Sequence, residues 1–94
     1  MMRAAIVRQL EGAPTPITNH MLECAARFLA ENGIAPVRAV VSPEYWTALL
    51  LESGGNVRVL STGAGNRRRM QLLTSVSLVE VTEAPGVREV TLSA

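Results

Sequence analysis

Val37-Arg38-Ala39-Val40-Val41-Ser42-Pro43-Glu44 decides the fold of this chain. The valine-rich run lies between Pro36 and Pro43, which predicts a strand, and one set in the interior of a sheet. Ser42 then supplies a hydroxyl that can accept from the first amides of a helix. Pro43 suits the first helical position, where no amide hydrogen is needed, and Glu44 puts an acid at the positive end of the helix dipole. A strand therefore runs straight into a helix. Tyr45, Trp46, Leu49 and Leu50 fall on one side of that helix, and Gly54-Gly55 stops it.

Toward the N-terminus the same signature recurs in Thr15-Pro16. Ile17, Met21, Ala25, Phe28 and Leu29 follow at helical spacing, while Glu23, Arg27 and Glu31 recur every four residues on the opposite, solvated side. Asn32-Gly33 provides a left-handed cap, with Ile34 expected to fold back on Phe28 or Leu29. Ala4-Ala5-Ile6-Val7 reads as a first strand, separated from the helix by Gly12-Ala13-Pro14-Thr15-Pro16. Ala4 to Val41 would then form a right-handed parallel crossover.

Toward the C-terminus, Val57, Val59 and Ser61 alternate with Arg58 and Leu60 as in a strand, and Ser61 to Asn66 is a polar loop with glycines. Arg68 to Thr82 exceeds one ordinary strand, so it is expected to bend near Thr74-Ser75 or to cross a bulge there. Glu83-Ala84-Pro85-Gly86 places proline and glycine as a type II turn requires, and Val87 to Leu92 is expected to return as the hairpin partner. The order β-α-β-α-β-β-β predicts an α+β domain over residues 1–94: a mixed sheet with two helices, near 16–32 and 43–53, on one face.

Composition narrows the chemistry. The chain has nine arginines and no lysine, eight glutamates and no aspartate, one histidine and one cysteine. Lysine-dependent Schiff-base and Walker-type phosphate chemistry are excluded, and so is a Ser-His-Asp triad within one chain. The missing aspartates have no physical explanation here. Net charge is +1, so bulk electrostatics give no general pull toward nucleic acid or membrane. The core must be aliphatic, because Phe28, Tyr45 and Trp46 are the only aromatics; Phe28 and Trp46 are expected to be largely buried. Cys24, alone, cannot form an intramolecular disulfide, which suits a reducing compartment. Met1–Gln9 does not resemble a signal peptide, and no apolar run reaches membrane-spanning length, so a soluble, cytoplasmic protein is expected.

Three groups invite a functional reading. His20, Glu23 and Cys24 lie within one helical turn and could contribute to a metal site, but zinc would need ligands from elsewhere. The plainer reading is a surface histidine and a small buried cysteine, so no metal or cofactor is expected. Thr62-Gly63-Ala64-Gly65-Asn66-Arg67-Arg68-Arg69 resembles an anion-binding loop, since its glycines permit close approach and arginines pair with phosphates or carboxylates. A solvated hairpin tip, a protein contact through Arg67, Arg68 and Arg69, and a nucleic-acid contact all stay open there. Strand alternation would send Arg68 to the face opposite Arg67 and Arg69. Tyr45 and Trp46 read either as a recognition patch or as the packing anchor between helix and sheet. Ser42 is explained by its capping role.

The stretches Glu31-Asn32-Gly33-Ile34-Ala35-Pro36, Val40-Val41-Ser42-Pro43-Glu44-Tyr45 and Leu73-Thr74-Ser75-Val76 with Val79-Glu80-Val81 resemble small virion-associated proteins of bacteriophages. More loosely they resemble the peripheral domain of tailed-phage major capsid proteins, although this chain lacks room for the spine helix and extended arm of that fold. The resemblance implies a non-enzymatic structural role in a head, neck, tail or decoration component, within the virion or the host cytoplasm. It implies an oligomer whose partners are its own copies or other virion subunits, and it transfers no functional residue. The rival expectation is a small regulator or inhibitor that binds a host protein or nucleic acid through residues 62–69. An enzyme whose site is completed by a partner chain is a third.

Overall fold

The structure, a computed structural model, describes residues 17–53, 57–61 and 67–94. The expected strand at 4–7, the Thr15-Pro16 helix start, the crossover that depends on them, the Gly54-Gly55 stop and most of the 62–69 loop lie outside the described residues. Seven elements follow in order: α1 (Ile17–Asn32), β1 (Arg38–Val41), α2 (Pro43–Ser53), β2 (Val57–Ser61), β3 (Arg69–Leu73), β4 (Leu78–Glu83) and β5 (Thr91–Ser93). The α+β class and the mixed sheet are as expected. The strand order is β2-β3-β4-β1-β5, with β1 parallel to β4 and every other neighbouring pair antiparallel.

α2 begins as its sequence dictates. The Tyr45 amide donates to Ser42 Oγ at 3.1 Å and the Trp46 amide to the Ser42 carbonyl at 2.9 Å. At the end of α1, Gly33 adopts φ 73° and its amide donates to the Leu29 carbonyl at 2.8 Å, the left-handed cap that glycine makes without Cβ strain. Asn32 Nδ2 donates to the Phe28 carbonyl at 3.0 Å, satisfying a second terminal acceptor.

Both helices pack on one face of the sheet. Ile17 and Met21 of α1 and Tyr45, Trp46 and Leu49 of α2 meet Ala39, Val41, Met70, Leu72, Val79 and Val81 in one buried cluster. Each aliphatic side chain so buried contributes about 1.5–3 kcal/mol before the entropy of ordering is subtracted. Trp46 holds the centre. It is 1% exposed, and its Nε1–H donates to the Val81 carbonyl at 3.1 Å, fastening helix to strand.

Several expectations are corrected. Phe28 is only half-buried, Leu29 is exposed and Ile34 is 56% exposed rather than folded back. At 16 residues α1 is about 24 Å long, and its buried positions stop at Ala25, so its last turns overhang the sheet. His20 is buried, not on the surface, because the Tyr45 hydroxyl supplies a polar partner inside the helix interface.

Arg68 to Thr82 is neither one bent strand nor a bulged one. β3 and β4 form an antiparallel hairpin in which Leu73 faces Leu78. Thr74 closes it: its hydroxyl donates to the Ser77 carbonyl at 2.6 Å and accepts from the amides of Val76 and Ser77 at 3.2 and 3.0 Å. Ser77 Oγ then donates to the Pro36 carbonyl at 2.6 Å, tying the hairpin to the approach to β1.

The type II turn is present, with Gly86 at φ 82° and the Val87 amide donating to the Ala84 carbonyl at 3.4 Å. It does not make the expected hairpin. The chain passes beyond β4 and its last strand pairs with β1, Leu92 opposite Ala39, because the far side of β1 is the edge left open on the sheet.

Candidate contact surface

The three consecutive arginines do not converge. Arg68 turns toward the helical side, where its Nε and Nη2 each reach a Glu83 carboxylate oxygen at 2.8 Å. Nη2 also donates to Thr47 Oγ1 at 3.0 Å, and the guanidinium carbon stands 4.4 Å from the Trp46 ring centroid. Two parallel N–H···O bonds plus stacking make this a packed structural arginine. The contact holds the Glu83 carboxyl below its ordinary range, chiefly through the hydrogen bond from Arg68.

Arg69 points to the other face and pairs with Glu80, Nη1 to Oε2 at 3.3 Å. Arg67 is exposed, with no hydrogen bond or ion pair to another described residue. The alternation of Arg68 against Arg69 follows from the pleat and was legible in the sequence. The Glu83 and Glu80 partners lie 15 and 11 residues away and were not.

No described helix covers the second face of the sheet. Pairing runs Arg58 to Gln71, Gln71 to Glu80, Glu80 to Arg38 and Arg38 to Ser93, so these five side chains form one row across all five strands. Arg69, Thr82, Val40 and Thr91 form the next row. At the hairpin end Leu73 and Leu78 stand opposite each other, 63% and 51% exposed. The described charges of this face are Arg38, Arg58 and Arg69 against Glu80 alone, in a chain whose net charge is only +1. Two of these arginines, Arg38 and Arg58, were not singled out from the sequence. Their position on strands was the available signal, but their common face appears only with the register.

The helical side is different. α1 and α2 expose Glu23, Glu31, Glu44 and Glu52 against Arg27, an acidic surface. Pro43, Glu44, Thr47, Ala48, Leu51 and Arg68 border an open groove of about 440 Å³, with Leu51 79% exposed beside it.

Between the helices, His20 Nδ1 lies 2.8 Å from Tyr45 Oη and 3.9 Å from Cys24 Sγ. Tyr45 Oη donates to the Ile17 carbonyl at 3.4 Å. Burial lowers the His20 pKa, against the opposing effect of Glu23, and pushes the Cys24 thiol and the Tyr45 hydroxyl up. All three groups are thereby held neutral, which suits a fastener between α1 and α2 better than a thiolate nucleophile. Glu23, adjacent in sequence, points to solvent, and no group of three or more histidine, cysteine or acidic side chains converges among the described residues. Tyr45 and Trp46 are both buried and serve as the packing anchor.

Comparison of this chain with known protein families, with curated proteins and with solved structures returns no match.

Proposed function

We propose that this chain is a non-enzymatic assembly protein that works through protein–protein contacts. The observation that carries the reading is the two-layer construction. The helices pack on one face of a five-stranded sheet, and the described residues leave the other face bare, with an exposed leucine pair and three arginines on it. An apolar pair rimmed by arginines suits a protein interface, where arginine is enriched and leucine supplies dry contact area. Nucleic acid is less well served. Arg68 is consumed internally and Arg69 is paired with Glu80, and the face carries no aromatic for base stacking. The resemblance to virion-associated proteins supports a phage particle, at head, neck, tail or decoration, as the setting.

The test is where the protein goes. In lysate of its native source it should sediment with particle-sized material, and Leu73→Gln with Leu78→Gln should release it while circular dichroism stays unchanged. Recovery only in the soluble pool, with arginine-dependent binding to DNA or RNA that collapses steeply with salt, would favour the regulator reading instead.

A further inference from the structure

We propose that copies of this chain stack head to tail, the arginine row of one sheet receiving the acidic stripe of α1 from the next. The inference rests on the assembly reading and names its partner: a second copy. The two surfaces lie on opposite sides of the molecule, since α1 and α2 cover the sheet face turned away from the row.

Their charges match in sign and in spacing. Across the strands the row reads Arg58, Gln71, Glu80, Arg38. Neighbouring strands are about 4.8 Å apart, so the two arginines stand about 14 Å from each other with Glu80 between them. Along α1 the exposed stripe reads Glu23, Arg27, Glu31. Eight residues at 1.5 Å per residue separate its glutamates by about 12 Å, with Arg27 between them. Laid across the strands, the stripe sets each glutamate near an arginine and Arg27 near Glu80. Arginine and glutamate side chains are long enough to absorb the remaining difference. Arg38, Arg58, Glu23 and Glu31 have no salt bridge to another described residue, so only Glu80, which already meets Arg69, has to share its carboxylate with a second arginine.

Contact between unlike surfaces is heterologous, so it propagates as a ring or an open stack and does not stop at a dimer. A charged interface of this kind weakens as salt screens it.

Charge exchange provides the experiment, carried out on the full chain. Arg38→Glu with Arg58→Glu makes the row acidic; Glu23→Arg with Glu31→Arg makes the stripe basic. Wild-type protein at low ionic strength should show a sedimentation mass that rises with concentration and returns to the monomer value as salt is added. Each double variant alone should lose that association, and an equimolar mixture should recover it, because acidic row then meets basic stripe. Circular dichroism and Trp46 emission verify folding. If the change at Arg38, opposite Glu80, disturbs the sheet, Arg58→Glu alone is mixed with Glu23→Arg and with Glu31→Arg in turn, and one of the two should restore association. Three results overturn the proposal: a wild-type monomer at every salt and concentration, association indifferent to both variants, or variants that fail to rescue each other. A monomer that still sediments with particles would remove the stacking and leave the assembly reading standing. Nucleic-acid binding lost with Arg38 and Arg58, without self-association, would assign the row to a polyanion.

Discussion

Replacing Trp46 by alanine tests the core most directly. The side chain is 1% exposed, it donates its indole N–H to the Val81 carbonyl at 3.1 Å, and Arg68 lies 4.4 Å over its ring. Truncating a buried tryptophan costs about 3–5 kcal/mol. A chain of 94 residues has a total stability of about 5–14 kcal/mol, so the variant should lose at least about a fifth of it and unfold if the total is near the lower bound. Trp46→Phe separates the contributions, because it keeps most of the apolar ring and loses the indole donor. The Val81 carbonyl, which sits opposite Met70 in the ladder, then loses its indole partner at a cost of about 0.5–1.5 kcal/mol. Urea denaturation followed by circular dichroism measures both variants, since the only tryptophan is the residue removed. In the wild type, Trp46 emission should be blue-shifted and shielded from acrylamide. A loss below about 1 kcal/mol for Trp46→Ala, or emission like that of free indole, would refute this account of the core.

Three further outcomes follow from other sites. The folded-state His20 imidazole is harder to protonate than the unfolded one, whose ordinary value is about 6.5. Stability should therefore be full above about pH 6.5 and fall as pH drops through that value toward the lower folded pKa, and His20→Gln should flatten the slope below about pH 6.5 in urea titrations. Arg68→Ala should uncover one side of Trp46, shifting its emission to the red while leaving secondary structure intact. Gly86→Ala meets no neighbouring atom but must adopt φ near +82°, so it should lower stability by about 1–2 kcal/mol, whereas Gly86→Asn should cost less by thermal melting.

The parts of this fold that were legible in the sequence are local. Ser42-Pro43 starts α2 at Pro43, Asn32-Gly33 caps α1, and Pro85-Gly86 gives a type II turn, because capping and left-handed glycine are decided within a few residues. What could not be read depends on partners distant in the chain. Val87 to Leu92 carries strand patterning, yet nothing local says that Thr91–Ser93 pairs with β1 rather than returning along β4. His20 looked like a surface group because its partner, Tyr45, is 25 residues away on another helix. Phe28 belongs to the apolar stripe of α1 by spacing, but the stripe outruns the sheet beneath it. The contact surface divides in the same way: the alternation of Arg68 and Arg69 follows from the pleat, while the row that joins Arg58 to Arg38 exists only once register is fixed.

The outer strands of the sheet bear on how this protein behaves when concentrated. With no lysine anywhere, the two outer strands among the described residues carry a single charge, Arg58 on β2, against intermolecular strand addition. Geometry takes over that duty. The β2–β3 register slips between Val59 and Ser61, so β2 does not present an even ladder, and β5 at the opposite side is only three residues long. Neither edge is a good template for cross-β growth. Concentrated solutions of the folded protein should accordingly stay free of thioflavin-binding fibrils, and restoring an even register in β2 by deleting Leu60 should bring them on.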